Sequence, residues 1–217
     1  MEELYKFRII SVTGSQYKTI TLCSEHYTFS CGQYLDLVHR SGKKIPLSIA
    51  SSPIALPNLR LVFKPESDNP DSQLLEKLIQ EKVVEGSSAK GKVRYPEDRN
   101  NLLLIAKGTG ISQALGMLEH SKETQAEKNI TLLWVNQKSD EASVTELFDV
   151  SSPNVDFHSL DEKELSVWIE QNAFWIKNAN CIVTGDPEFV YLTKNEIDRN
   201  HISLSSFQSD VLEYAPR

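Results

Sequence analysis

Cysteine is scarce in this chain: Cys23, Cys31 and Cys181 are odd in number and form no C-x-x-C pair. A disulfide framework and the common cysteine spacings of zinc sites are thereby excluded. Long apolar runs are missing too. The most apolar stretch, 102–106, is far short of the ~20 residues that a membrane helix needs. Positive charge is in deficit, with 23 Lys and Arg against 30 Asp and Glu and a formal net charge of −7. Such a surface repels a phosphate backbone, so nucleic-acid binding is not expected. The start, Met1-Glu2-Glu3, is acidic and lacks the apolar core of a secretory signal, so the expected location is the cytoplasm. His26, His39, His120, His158 and His201 are scattered without a second ligand at metal spacing, so no metal site is expected. No G-x-S-x-G occurs, and S-x-x-K occurs at both 15–18 and 87–90, which shows how cheap that pattern is in a serine-rich chain.

What remains is ordinary globular material. The chain has 217 residues, 40% hydrophobic and 24% charged, enough for one large domain or two small ones. Charge is distributed unevenly. Residues 1–97 carry 13 Lys and Arg against 11 Asp and Glu, so 13 − 11 = +2; residues 98–217 carry 10 against 19, so 10 − 19 = −9. The asymmetry suggests two lobes.

The first hundred residues read as short strands at 5–12, 18–24, 34–39, 45–50 and 59–63. Turn signals at Gly14-Ser15, Cys31-Gly32, Ser41-Gly42 and Pro53 to Pro57 separate them. This spacing predicts an antiparallel barrel or sandwich. Leu74, Leu75, Leu78 and Ile79 form one apolar stripe, which predicts a helix over 71–84, capped by Asp71 or Ser72 and stopped by Gly86.

After Pro96 the pattern changes. Continuous apolar runs at 102–106 and 130–135, a weaker one at 155–160 and a fourth at 181–184 read as strands. Helices are predicted at 112–120, near 141–148, at 162–171 and at 187–198. Strands alternating with helices mean βαβ units and a parallel sheet. Asp161-Glu162-Lys163-Glu164 reads as an acidic helix start. Trp168, Phe174 and Trp175 are expected to pack that helix and its exit onto the sheet. The predicted fold is therefore a two-domain α+β chain. An N-terminal antiparallel β-barrel spans 1–97, and an α/β Rossmann-like parallel-sheet domain spans 98–217. Ligands in such sheets sit at the carboxyl ends of the strands.

Two segments carry chemistry. Leu102-Leu103-Leu104-Ile105-Ala106-Lys107-Gly108-Thr109-Gly110-Ile111 takes a buried strand through a glycine turn into a helix. A helix N-terminus offers unpaired N–H groups and the positive dipole end, a seat for a pyrophosphate. Gly108 and Gly110 let the backbone approach a ligand closely. A plain strand–turn–helix corner would use the same residues. The second segment, Gly32-Gln33-Tyr34 followed by Ile45-Pro46-Leu47-Ser48-Ile49-Ala50-Ser51-Ser52-Pro53, is on its own a strand and a Ser/Pro turn.

Taken together and in this order, the two segments resemble the ferredoxin–NADP reductase superfamily. The chain looks closest to the bacterial NAD(P)H:flavin oxidoreductases, which read R-P-F-S-[MI]-A-S-x-P in the barrel and A-G-G-T-G-F-S at the sheet. Trp134, Thr184-Gly185-Asp186-Pro187 and Phe207-Gln208-Ser209-Asp210 extend the resemblance over nearly the whole length. It implies a barrel that binds the flavin isoalloxazine beside Pro46, Leu47, Ser48 and Ile49, with the Ser48 hydroxyl facing N5 as the catalytic group. It implies that Ala106, Lys107, Gly108, Thr109 and Gly110 hold NADH or NADPH, with Thr184 and Gly185 bordering the nicotinamide.

The pattern is broken at four places. Ile45 stands where relatives have an arginine for flavin phosphate or ribityl groups; Lys43 or Lys44, just upstream, would substitute or would be solvated turn lysines. Leu47 replaces the aromatic that lies against the ring. Lys107 replaces a small residue, and would either pair with a nucleotide phosphate or fill the nucleotide's space. After Trp134, Val135-Asn136-Gln137-Lys138 stand where relatives place glycines and an arginine for a 2′-phosphate. The resemblance thus implies a flavin (FAD, FMN or riboflavin) bound loosely as a substrate, and reduced flavin delivered to a monooxygenase or an iron-carrier acceptor. Two other readings stay open. One is a catalytically degenerate binding or regulatory protein. The other is an electron-transfer subunit of an oxygenase system, whose iron–sulfur centre would lie on a separate chain.

Overall fold

A computed structural model describes residues 3–137, 140, 143–147 and 154–216. The chain divides into two units, Met1–Tyr95 with Leu115–Thr124, and Pro96–Ala114 with Gln125–Arg217.

The first unit is built on period-two strands. These are β1 (Leu4–Thr13), β2 (Lys18–Cys23), β3 (Tyr34–Val38), β4 (Lys44–Ser48), β5 (Asn58–Phe63) and β6 (Val83–Ser87). They form one antiparallel sheet in the order β4-β3-β6-β1-β2-β5. An Ile49–Leu61 bridge and the Ala50 N–H to Arg60 carbonyl bond of 2.7 Å bring the end of β4 onto β5, closing the sheet on itself. Alternate residues point inward, so Phe7, Ile20, Leu22, Leu35, Leu37, Ile45, Leu59, Leu61 and Val84 make the core. Helix α1 (Pro70–Leu78) adds Leu75 and Leu78 to it.

Two local expectations are corrected here. The cap of α1 is Asn69, whose side chain accepts from the Asp71 and Ser72 N–H groups, with Pro70 at the first helical position. The helix also stops at Leu78, and 83–87 is a strand, paired with both β1 and β3. Gly86 is no helix stop. It lies in β6 because a Cβ there would stand 2.8 Å from Phe7 Cε2, and the barrel leaves no room for one.

The second unit alternates β7 (Leu102–Lys107), α2 (Ile111–Glu123), β8 (Ile130–Val135), α3 (Val144–Leu147), β9 (Val155–Leu160), α4 (Glu162–Gln171), α5 (Ala173–Ile176), β10 (Asn180–Thr184), α6 (Pro187–Arg199), β11 (Ser206–Gln208) and α7 (Val211–Tyr214). The sheet is parallel in the order β11-β10-β7-β8-β9. On one face Leu103, Ile105, Leu133, Val135, Cys181 and Val183 meet Leu165 and Ile169 of α4 and Phe189, Val190 and Ile197 of α6. The division into units runs through α2, whose Leu115–Thr124 half belongs with the barrel. The fold class expected from the sequence is the one observed. Residues 141, 142 and 148 of the helix predicted near 141–148, and Lys138, lie outside the described residues.

Trp168 packs against the sheet core as expected. Phe174 and Trp175 do not; they are 85% and 73% exposed. The reason is that α5 is a single turn in which Ile176 takes the buried position, and consecutive helical residues point about 100° apart. All three cysteines are free. No helix among the described residues is long and apolar enough to cross a membrane, and no metal-ligating cluster occurs among them.

Candidate functional site

In the second unit, β7 is buried to Ala106, which lies between Trp134 of β8 and Thr184 of β10. The chain then makes a tight turn over Gly108–Gly110 and enters α2. The two glycines do different work. Gly108 has φ +53°, and nothing lies within 4 Å of where its Cβ would stand; the backbone is left-handed and open on that side. Gly110 is closed in, because its Cβ would stand 2.7 Å from the Thr184 carbonyl oxygen and 2.8 Å from Thr184 Oγ1. The Thr184 hydroxyl donates to the Gly110 carbonyl at 2.9 Å. From the neighbouring strand, the fully buried Trp134 donates its indole N–H to the Gly108 carbonyl at 3.0 Å. Ala106, Gly108, Gly110, Thr184 and Gly185 are thus brought together at the carboxyl edge of the sheet, and Thr109 is exposed there. The sequence showed Trp134 only as a motif match. The signal for its role is general: a buried indole needs an acceptor.

Lys107 is held by two carboxylates of its own unit. Its ammonium is bound to Glu162 Oε1 at 2.7 Å and Asp186 Oδ2 at 2.9 Å, and lies 5.5 Å from the centroid of the Phe189 ring. Burial would lower its pKa, but the hydrogen bonds it donates to Glu162 and Asp186 outweigh this and raise it. Asp186 also opposes burial. The Phe189 N–H, which it accepts as N-cap of α6, and Lys107 together hold its carboxyl below the usual range. Glu162 opens α4, where Asp161 and Glu164 form a capping box.

In the first unit, strand β4 shows two faces. Ile45 is core, Leu47 is packed against the core, and Ile49 just beyond is 1% exposed. Pro46 and Ser48 take the opposite face. Register decides what accompanies them. Ser48 lies opposite Tyr34, which lies opposite Lys90 on its other side, and Pro46 lies opposite Asp36. Directly opposed residues share a face, so Pro46, Ser48, Tyr34, Asp36 and Lys90 form one patch. Lys90 Nζ and Asp36 Oδ2 are 2.6 Å apart, with the Asp36 side chain 11% exposed. Sequence reasoning missed this pair, since 54 residues separate its members. Ile45 puts no polar group on the patch, and Lys43 is ion-paired with Asp71 at the start of α1.

Beyond β4 the chain is tied to the second half of α2. Glu119 accepts from the Ser52 N–H at 2.9 Å and from Arg60 at 2.5 Å, and Ser52 Oγ lies 3.1 Å from His120 Nδ1. Ser52 is therefore structural. His120 stacks edge-on against Tyr95.

No protein-family model matches the chain. A protein described as a probable flavin reductase, from Aliivibrio fischeri, is 29% identical over 174 residues, which cover 76% of this chain and 72% of the relative. A ferredoxin NADP+ reductase from Neisseria gonorrhoeae, solved with bound FAD and NADP, matches with a TM-score of 0.77 at 18% identity, over 97% of this chain and 100% of that one. The chain has the ferredoxin–NADP reductase fold. The ferredoxin reductase in carbazole 1,9a-dioxygenase has the same fold, with a TM-score of 0.82 at 14% identity over 96% of this chain and 69% of that one. The resemblance read from the sequence holds.

Proposed function

We propose that the chain is an NAD(P)H:flavin oxidoreductase. The observation that carries the reading is the Gly108–Gly110 turn, with Gly108 left-handed and open and Gly110 clamped under Thr184, at the head of a 13-residue helix. Such a turn suits a dinucleotide pyrophosphate, which needs close backbone approach and a helix N-terminus. The Aliivibrio relative supports flavin as the other substrate. When bound, the pyridine nucleotide supplies a hydride and the flavin accepts it at N5 with a solvent proton, giving oxidised nucleotide and reduced flavin.

On this reading the barrel unit is the flavin domain and the sheet unit the nucleotide domain. Ser48 offers its hydroxyl to N5, Pro46 gives apolar contact, and Leu47 and Ile49, which pack inward, support the strand from the core. Ala106, Lys107, Gly108, Thr109 and Gly110 shape the nucleotide seat, and Thr184 and Gly185 border the nicotinamide. FAD, FMN or riboflavin would be held loosely, because Ile45 sits in the core and Lys43 is committed to Asp71. NADH and NADPH both remain admissible donors, and a monooxygenase or an iron carrier is a fitting acceptor.

The test is direct. The purified protein is mixed with NADH or NADPH, with and without each flavin, and nicotinamide absorbance is followed. Flavin-dependent oxidation is expected. A colourless protein with no turnover and no flavin binding by fluorescence titration refutes the reading in favour of a degenerate scaffold.

A further inference from the structure

Three connections meet at the carboxyl edge of the parallel sheet: β7 to α2, β9 to α4 and β10 to α6. Each contributes one charge to a single cluster, Lys107, Glu162 and Asp186. The lysine stem is packed as well as paired: a Cβ on Gly185 would come within 3.1 Å of Lys107 Cβ, and the ammonium lies over the Phe189 ring. Lys107 immediately precedes the Gly108–Gly110 turn. With one cation and two carboxylates, the cluster carries a net charge of −1 beside a turn suited to a doubly charged pyrophosphate.

We propose that Lys107 is a positioning residue that sets the nucleotide affinity of the turn without touching the nucleotide, by cancelling charge from Glu162 and Asp186 that would otherwise repel the phosphates. This rests on the reading that the turn seats a dinucleotide, and it adds the electrostatic device that the reading lacks. The side chain is held by two carboxylates and a ring, so it is not presented as a phosphate ligand. Remove it and two bare carboxylates face the turn. Remove all three charges and the repulsion is gone.

The experiment uses ADP-ribose and NAD+ as probes, with dissociation constants measured by calorimetry at low and high salt. The proteins are wild type, Lys107→Met, Glu162→Gln and the triple variant Lys107→Met/Glu162→Gln/Asp186→Asn. Asparagine keeps the N-cap acceptor of α6. One charge acting on a doubly charged group across ~8 Å changes affinity about sixfold even at the dielectric of water. Lys107→Met is expected to bind at least that much more weakly at low salt, with the loss fading at high salt. Glu162→Gln is expected to bind about sixfold more tightly by the same reckoning. The triple variant should equal or exceed wild type, and far-ultraviolet circular dichroism should be unchanged throughout. A triple variant as weak as Lys107→Met would make Lys107 a direct phosphate ligand and overturn the proposal. Tighter binding by Lys107→Met would make the side chain an obstruction, with the same consequence. No binding of ADP-ribose by any of the four proteins would also overturn it. Wild-type flavin reduction is measured beside these titrations. If the affinities follow the expected order while no flavin is reduced, the reductase reading falls and the charge-cancelling role stands.

Discussion

Gly110→Ala puts the geometry of the turn to a stability test. A Cβ at residue 110 would stand 2.7 Å from the Thr184 carbonyl oxygen, 2.8 Å from Thr184 Oγ1 and 2.9 Å from the carbonyl carbon. Two of these atoms are backbone, at the end of a strand whose register is fixed by pairing Thr184 with Ala106. Either the turn or the strand end must move. Overpacking of this kind costs about 1–3 kcal/mol, and losing the Thr184 hydroxyl bond to the Gly110 carbonyl adds about 1 kcal/mol. The sum is about 2–4 kcal/mol, a large share of the ~5–15 kcal/mol of a typical domain. Gly108→Ala is the companion. It meets no atom within 4 Å and suffers only the left-handed backbone at φ +53°, about 1–2 kcal/mol. Urea unfolding of both variants at unchanged m-value measures these differences. Gly110→Ala should be the less stable, whereas Gly108→Ala should lose ADP-ribose binding out of proportion to its stability, because its methyl enters the open space of the turn. Gly110→Ala within about 0.5 kcal/mol of wild type, or Gly108→Ala as the less stable of the two, would refute this division of labour.

Two further outcomes test the barrel. Ser48→Ala should lower flavin-dependent turnover about tenfold, equivalent to about 1.4 kcal/mol of lost alignment, while nucleotide binding is unaffected; unchanged steady-state turnover would remove the role given to that hydroxyl. Tyr27 is 2% exposed and its hydroxyl has no hydrogen-bond partner among the described residues. Burial above all, with the charges of Tyr5 and Asp36 added, raises its pKa from the ordinary 10.0. The neutral phenol is favoured in the fold, so this contribution to stability is present below pH 10.0 and is lost as pH rises further. Tyr27→Phe should match wild type or gain about 1 kcal/mol at neutral pH, and unfold less readily at alkaline pH. A loss of stability at neutral pH would show that the hydroxyl has a partner.

The parts of this fold that are legible in the sequence are those whose pattern is local. The run Leu102–Lys107 announces a doubly buried strand because every side chain up to Ala106 is apolar, and the glycines after it announce the turn. Strand β6 is not legible. Val83-Val84-Glu85-Gly86-Ser87 follows a helical stripe directly, and its glycine reads as a helix stop. Only pairing with β1 on one side and β3 on the other makes it a strand, and only Phe7 explains the glycine. The site divides in the same way. Pro46, Ser48 and the turn glycines are found by motif. The partners of Lys107 are 55 and 79 residues further along the chain (162 − 107 and 186 − 107), and no spacing rule reaches that far. Phe174 and Trp175 mislead because aromatic residues are usually buried, whereas the single turn α5 has one inward position and Ile176 holds it.

These nonlocal pairs share a consequence for the chemistry. Lys43 is bound to Asp71, Lys90 to Asp36, and Lys107 to Glu162 and Asp186, while the position where relatives carry an arginine is the buried Ile45. At the strand patch and at the turn alike, these lysines are engaged with carboxylates of the same unit. On the proposed reading, affinity for flavin then comes from the Pro46 surface and from backbone groups, not from an ion pair between phosphate and these three lysines. Riboflavin, which lacks a phosphate, should therefore bind nearly as well as FMN, and FMN binding should fall little with added salt. A strong preference for FMN that collapses at high salt would show that one of these lysines leaves its carboxylate for the ligand. The proposed flavin site would then work by charge.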